Sequence, residues 1–189
     1  MGARPRDENS PEEESTMNLR PLFLIALVAG AIGCATAPCP APPPDTTAQD
    51  QAAIKALEDK FTAAFNARDT GAIMALYVPD QSLIVFDASE PLQYTGADAY
   101  TKDWNDFWAM FPGKATFTMS DLDITVGGNV AYSHSIQHAS MTDKKSKKME
   151  MTVRVTDGYK KINGQWLISH EHVSVPVNFV TMKPDLNSK

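Results

Sequence analysis

A chain of 189 residues, 43% apolar and 21% charged, is long enough for one ordinary domain and an extension. With two cysteines, 13 prolines and a net charge of −6, it is neither a disulfide scaffold nor a collagen-like or wholly disordered chain. The acidic balance argues against nucleic acid as a partner, because that work needs a basic face that displaces counterions from phosphates.

Residues Pro21 to Gly33 form an apolar run of 13, too short to span a bilayer and the right length for the core of a signal peptide. Arg20 supplies the positive charge before it, and Met17 stands just upstream. Met1 to Thr16 carries five acidic residues against two arginines, the wrong sign for that role. Met17 is therefore the expected start, residues 1–16 a mis-assigned extension and 17–33 the signal peptide. The run ends Ala31-Ile32-Gly33-Cys34, which resembles a bacterial lipobox. That resemblance implies lipidation of Cys34; Ala35 after it implies the outer membrane, facing the periplasm. Residues 34–49, with five prolines, read as a semi-rigid tether. Beyond the presequence, 14 basic residues against 18 acidic ones suggest no second, electrostatic membrane contact.

The domain is expected over about 50–180, with 181–189 as a tail. Ile54, Leu57, Phe61, Ala64 and Phe65 recur at helical spacing and predict a first helix with one apolar face. Asp69 or Thr70 is placed to cap a short second helix with Ile73, Leu76 and Tyr77 inward; Pro79 stops it. Ser82–Asp87 reads as a strand. Tyr100, Trp104, Phe107, Trp108 and Phe111 then mark a third helix with an aromatic stripe, closed by Pro112-Gly113. From Thr116 the period changes to two. Strands are expected at 116–126, 130–139, 149–161 and 165–175, with hairpin turns at Gly127-Gly128-Asn129 and Asn163-Gly164. Asp121 and Asp123 share a solvated strand face. The loop 142–148 holds Lys144, Lys145, Lys147 and Lys148, either as a solvated hairpin tip or as an interaction patch. Three helices followed by an antiparallel meander give an α+β domain in which helices cover one face of a curved sheet, with room for an internal pocket.

The stretch Phe61-Thr62-Ala63-Ala64-Phe65-Asn66-Ala67-Arg68-Asp69, then Ile73-Met74-Ala75-Leu76-Tyr77 and Asp80, resembles the opening of the nuclear transport factor 2-like superfamily. The ending Gly164 to Pro176 is similar to the last strand of its SnoaL-like branch, which includes polyketide cyclases and is distantly like ketosteroid isomerase. The resemblance implies a cone-shaped roll, commonly a homodimer. It is poor for function, because this fold hosts many activities and many non-enzymes. The isomerase machinery is not reproduced. Its first-helix tyrosine falls on Phe61, its base on Val85 or Asp87, and its protonated aspartate near Gly158 or Asp157.

Taking Asn163-Gly164 as a two-residue turn and continuing the ladder unbroken sets His170 opposite Asp157 and His172 opposite Val155. A symmetric lysine loop sets Tyr132 opposite Asp157, His134 opposite Val155 and His138 opposite Met151. Tyr132, Asp157 and His170 then form one inward row, able to line a dry cavity or to orient a general base. On this register all four histidines (His134, His138, His170, His172) face inward, and Glu171 faces outward beside Arg154. A metal is disfavoured, since His134 and His172 lie about 9.5 Å apart across an intervening strand and no third ligand is evident. Asp87 serves as turn former or pocket base; Phe61, Trp104 and Trp108 as packing or as walls for a ring-shaped ligand. The expectation is a lipid-anchored periplasmic domain that binds a small apolar or aromatic molecule and needs no cofactor. The alternatives are a cofactor-independent isomerase, cyclase or dehydratase using Asp87 or a His–Asp base, and a dimer scaffold without ligand.

Overall fold

The computed structural model describes residues 45–188. The expected start at Met17, the signal peptide, Cys34 and most of the tether lie outside the described residues. No described helix is long and apolar enough to cross a membrane.

Helix α1 spans Thr47–Ala67 and buries Ile54, Leu57, Phe61, Ala64 and Phe65, the stripe its spacing predicts. It ends at Arg68, which turns left-handed at φ 58°. The Arg68 guanidinium then donates to the carbonyls of Pro112 and Gly113, both at 2.6 Å, and of Trp108 at 3.1 Å. Of these, the Trp108 carbonyl lies in the last turn of a helix ending at Met110, where carbonyls lack intrahelical partners; the other two belong to the turn that follows. The short helix α2 (Thr70–Met74) is capped by Asp69, whose carboxylate accepts from the Ala72 amide at 2.9 Å. Helix α3 covers Ala97–Met110 and buries Tyr100, Trp104 and Trp108.

Strands β1 (Ile84–Phe86), β2 (Tyr94–Thr95), β3 (Ala115–Gly127), β4 (Val130–Thr142), β5 (Lys148–Ile162) and β6 (Gln165–Ser174) form one sheet in the order β2-β1-β6-β5-β4-β3. All neighbours are antiparallel except β1 and β6. The helices cover one face. The core between is strongly aromatic: Phe65 alone lies within 4.8–6.4 Å, centroid to centroid, of Phe61, Trp104, Phe107, Trp108 and Phe117. Every buried apolar residue of this core lies between Ile54 and Ile168, so the compact unit from Pro43 onward carries its own core.

Two registers differ from the sequence expectation by one residue. In the lysine loop, Asp143 takes the amides of Lys145 and Lys147, both at 2.8 Å, and Ser146 turns left-handed at φ 63°. This tight turn pairs Thr142 with Lys148, and therefore Ser133 with Asp157. In β6 the ladder runs as expected from Ile162–Gln165 to Tyr159–Ile168, then slips. Ser169 is the extra residue of a bulge, its hydroxyl donating to the Gly158 carbonyl at 3.1 Å. Beyond it Gly158 pairs with His170, and Asp157 with Glu171. Since side chains alternate faces, each slip inverts everything downstream.

The chain after β6 is part of the domain, not a tail from 181. Strands β7 (Val177–Asn178) and β8 (Lys183–Pro184) make a hairpin that returns the chain to the sheet, where the Thr152 amide donates to the Leu186 carbonyl at 2.7 Å. Leu186 takes up the edge that β6 vacates at Ser174.

Candidate functional site

Between the helices and the sheet lies a partly open cavity of about 380 Å³, within the ordinary range for a small-molecule site. Phe61, Phe65 and Phe117 form one wall, and Tyr100, Trp104, Phe107, Met110 and Phe111 another. Met141, Met149, Met151, Val153 and Val173 supply the sheet side, and Val175, Pro184 and Leu186 close the end. Four methionines allow the walls to adapt to a ligand's shape. The polar lining is sparse: Asp87, Ser89, Asp103, Gln137 and Glu171, with the Tyr100 hydroxyl.

Glu171 is the most constrained of these. It is 5% exposed. Its Oε2 accepts from the Tyr77 hydroxyl at 2.5 Å and its Oε1 from the Tyr100 hydroxyl at 2.6 Å. Burial pushes its carboxyl up to about 7, against the two tyrosine hydrogen bonds, with the Asp87 and Glu58 charges adding to the rise. Desolvation likewise raises both tyrosines well above their usual value. Asp87, at the end of β1, accepts from the Ser89 amide at 3.2 Å; burial raises its carboxyl.

Behind the cavity lies a second buried polar group. Tyr159 donates to Glu58 Oε1 at 2.5 Å, leaving the Ser133 hydroxyl to donate to Tyr159 at 2.7 Å. Burial raises Glu58 to about 7. Asp157 is 2% exposed, and its Oδ1 has no partner among the described residues. Burial, then the Glu171 and Glu58 charges, raise it well above the carboxylate range.

The expected row of Tyr132, Asp157 and His170 is not formed. Asp157 points inward, while Tyr132 is 50% exposed on the outer face. His134, His138 and His172 are exposed on that face as well. His170 is half-buried there, its Nδ1 bonded to the Ile84 carbonyl at 2.9 Å. The two one-residue slips are the reason for all five misplacements, and for Glu171, expected outside beside Arg154. Of the other expected residues, Asp87, Phe61 and Trp104 line the cavity. Trp108 is buried against Phe65 at 5.1 Å but does not. Sequence reasoning missed Glu171, Gln137 and the closing segment. One signal was present: the apolar alternation in β6 runs on even positions at Trp166 and Ile168, then on odd ones at Val173 and Val175. Such a change of parity marks a bulge.

The sequence model of the SnoaL-like domain family matches residues 54–178. No curated protein matches the chain. Among solved structures, a nuclear transport factor 2-like protein of unknown function from Pseudomonas putida KT2440 is 29% identical, with a TM-score of 0.68 over 76% of this chain and 98% of that one. A candidate scytalone dehydratase from Novosphingobium aromaticivorans is 20% identical (TM-score 0.60; 67% of this chain, 83% of that one). A ketosteroid isomerase-like protein from Erwinia carotovora atroseptica is 17% identical (TM-score 0.58; 67% and 95%). At such identities the last two show the fold alone. The curved sheet under three helices and the match over most of the domain place this protein in the SnoaL-like domain family, on the nuclear transport factor 2-like fold.

Proposed function

We propose that the domain binds a small apolar or aromatic molecule in the cavity, with a hydroxyl or N–H of that molecule on Glu171. The observation that carries this is the Glu171 carboxylate, set in an aromatic and methionine wall and oriented by Tyr77 and Tyr100. Two tyrosines fix its rotamer and leave lone pairs for one more donor. The reading extends to a lipid anchor at Cys34, which labelled fatty acid incorporated into the protein but not into Cys34→Ala would support, and to a homodimer.

Trp104 in the cavity wall reports occupancy by fluorescence. Titration with 2-naphthol should give saturable binding, at least tenfold tighter than 2-methoxynaphthalene, which lacks the donor; Glu171→Gln should narrow that ratio. Equal affinities for both probes, or no binding of either, would overturn the proposal.

A second reading, a cofactor-independent acid–base enzyme, is favoured by Asp87, a carboxyl raised by burial at the cavity wall. Raised carboxyls are better matched to proton abstraction near neutral pH. Deuterium incorporation into 2-tetralone in heavy water, lost in Asp87→Asn, would support it. Incorporation no faster than in buffer would sink it.

A further inference from the structure

The end of the sheet where the cavity closes also gathers two surfaces that the sequence keeps far apart. The first is apolar. The hairpin between Val175 and Leu186 carries Val177 at 46% exposure, Phe179 at 85%, Val180 at 94% and Met182 at 71%. Within the described residues these side chains cover no core. The second is basic. The β4–β5 turn lies at this same end, since Met141 and Met149 pair beside the cavity and Thr142 pairs with Lys148. Its Lys144, Lys145 and Lys147 are exposed and form no ion pair among the described residues. Of the acids on these two segments, Glu150 pairs with Lys148 at 2.6 Å; Asp143 and Asp185 accept local hydrogen bonds and keep their charges, so Lys144, Lys145 and Lys147 still outnumber them. Lys114 joins this end, because the adjacent Gly113 amide donates to the Thr142 carbonyl at 3.2 Å.

Exposed aromatic and aliphatic side chains beside unpaired lysines match the headgroup–acyl boundary of an anionic bilayer: the apolar tips enter, and the lysines meet lipid phosphates. A net charge of −6 over the whole sequence hides this local excess, because most of the acids lie elsewhere in the chain; the overall balance by itself suggests no such second membrane contact. We propose that the cavity end of the domain docks on an anionic phospholipid surface through the 177–182 hairpin tip and Lys144, Lys145 and Lys147. Resting on the binding reading above, this makes the ligand a membrane-soluble one, drawn from the bilayer on which the domain docks.

The test is sedimentation of the self-contained unit from residue 43 to 189 with vesicles of pure phosphatidylglycerol or pure phosphatidylcholine. Binding to phosphatidylglycerol should exceed binding to phosphatidylcholine at least tenfold and weaken as salt rises. The pair Phe179→Asp with Val180→Asp should lower it at least tenfold, as should the triple Lys144→Glu, Lys145→Glu, Lys147→Glu. Both variants keep the cavity, so their 2-naphthol affinity and circular dichroism should match the parent. That separates failure of docking from failure of the pocket or of folding. No phosphatidylglycerol binding, or binding indifferent to both variants, overturns the proposal. So does a concentration-dependent dimer dissolved by the tip substitutions, which would assign the tip to a second copy of the chain.

Discussion

Asp157 stands directly opposite Glu171 across β5 and β6, and both carboxyls are buried on the helix-covered face. Cross-strand neighbours have Cβ atoms about 5 Å apart, so two ionised carboxylates there repel strongly in a poorly solvated site. With Glu58 nearby, the group holds its protons to higher pH than free carboxyls do.

Stability should therefore fall as pH rises. Each carboxyl has a folded value above its unfolded one, so the native state binds more protons between them, and the contribution is lost from about 4.5 up through about 7 for Glu171 and Glu58. Asp157→Asn should stabilise the protein by roughly 1–2 kcal/mol at pH 8 and by little at pH 5. Urea unfolding at the two pH values checks this; equal effects at both would contradict it.

The outer-face histidines should be dispensable for the cavity. His172→Ala should leave 2-naphthol affinity within about twofold and stability within about 0.5 kcal/mol. His170→Ala frees the Ile84 carbonyl and should cost about 1 kcal/mol while sparing binding. Parallel titrations and urea melts of both variants decide it.

Phe65 is the hub of the aromatic core, touching five other rings. Phe65→Ala should cost about 3–5 kcal/mol. Trp104→Phe, which keeps a ring at the cavity wall, should cost less and admit a larger ligand. Chemical denaturation, and comparison of two-ring with three-ring probes, measure the two effects.

At the β5–β6 turn, Asn163 has φ 50° and Gly164 φ 82°, the pair of left-handed residues that a type I′ hairpin needs. Gly164→Ala should cost about 1 kcal/mol from backbone strain alone, since an added Cβ would meet nothing within 4 Å. A loss above about 3 kcal/mol in thermal unfolding would point to a contact rather than to strain.

The sequence by itself determined the three helices, the long strands with their hairpin succession, and the family, but not the short strands β2, β7 and β8 or the parallel pairing of β1 with β6. Amphipathic spacing fixes which helix face is buried, Asp69-Thr70 marks the start of the second helix, and Asn163-Gly164 specifies its own turn. These are local effects, written in adjacent residues. The site was decided by tertiary structure. A strand's register is set by what its turn and its neighbour allow, and here Asp143 tightened one loop and Ser169 inserted one bulge. Because the side-chain period is two, those single-residue events carried the histidines outside and brought Glu171 to the cavity. The lysine turn and the C-terminal hairpin, some 35 positions apart in sequence, likewise meet at one end only because the sheet folds them there.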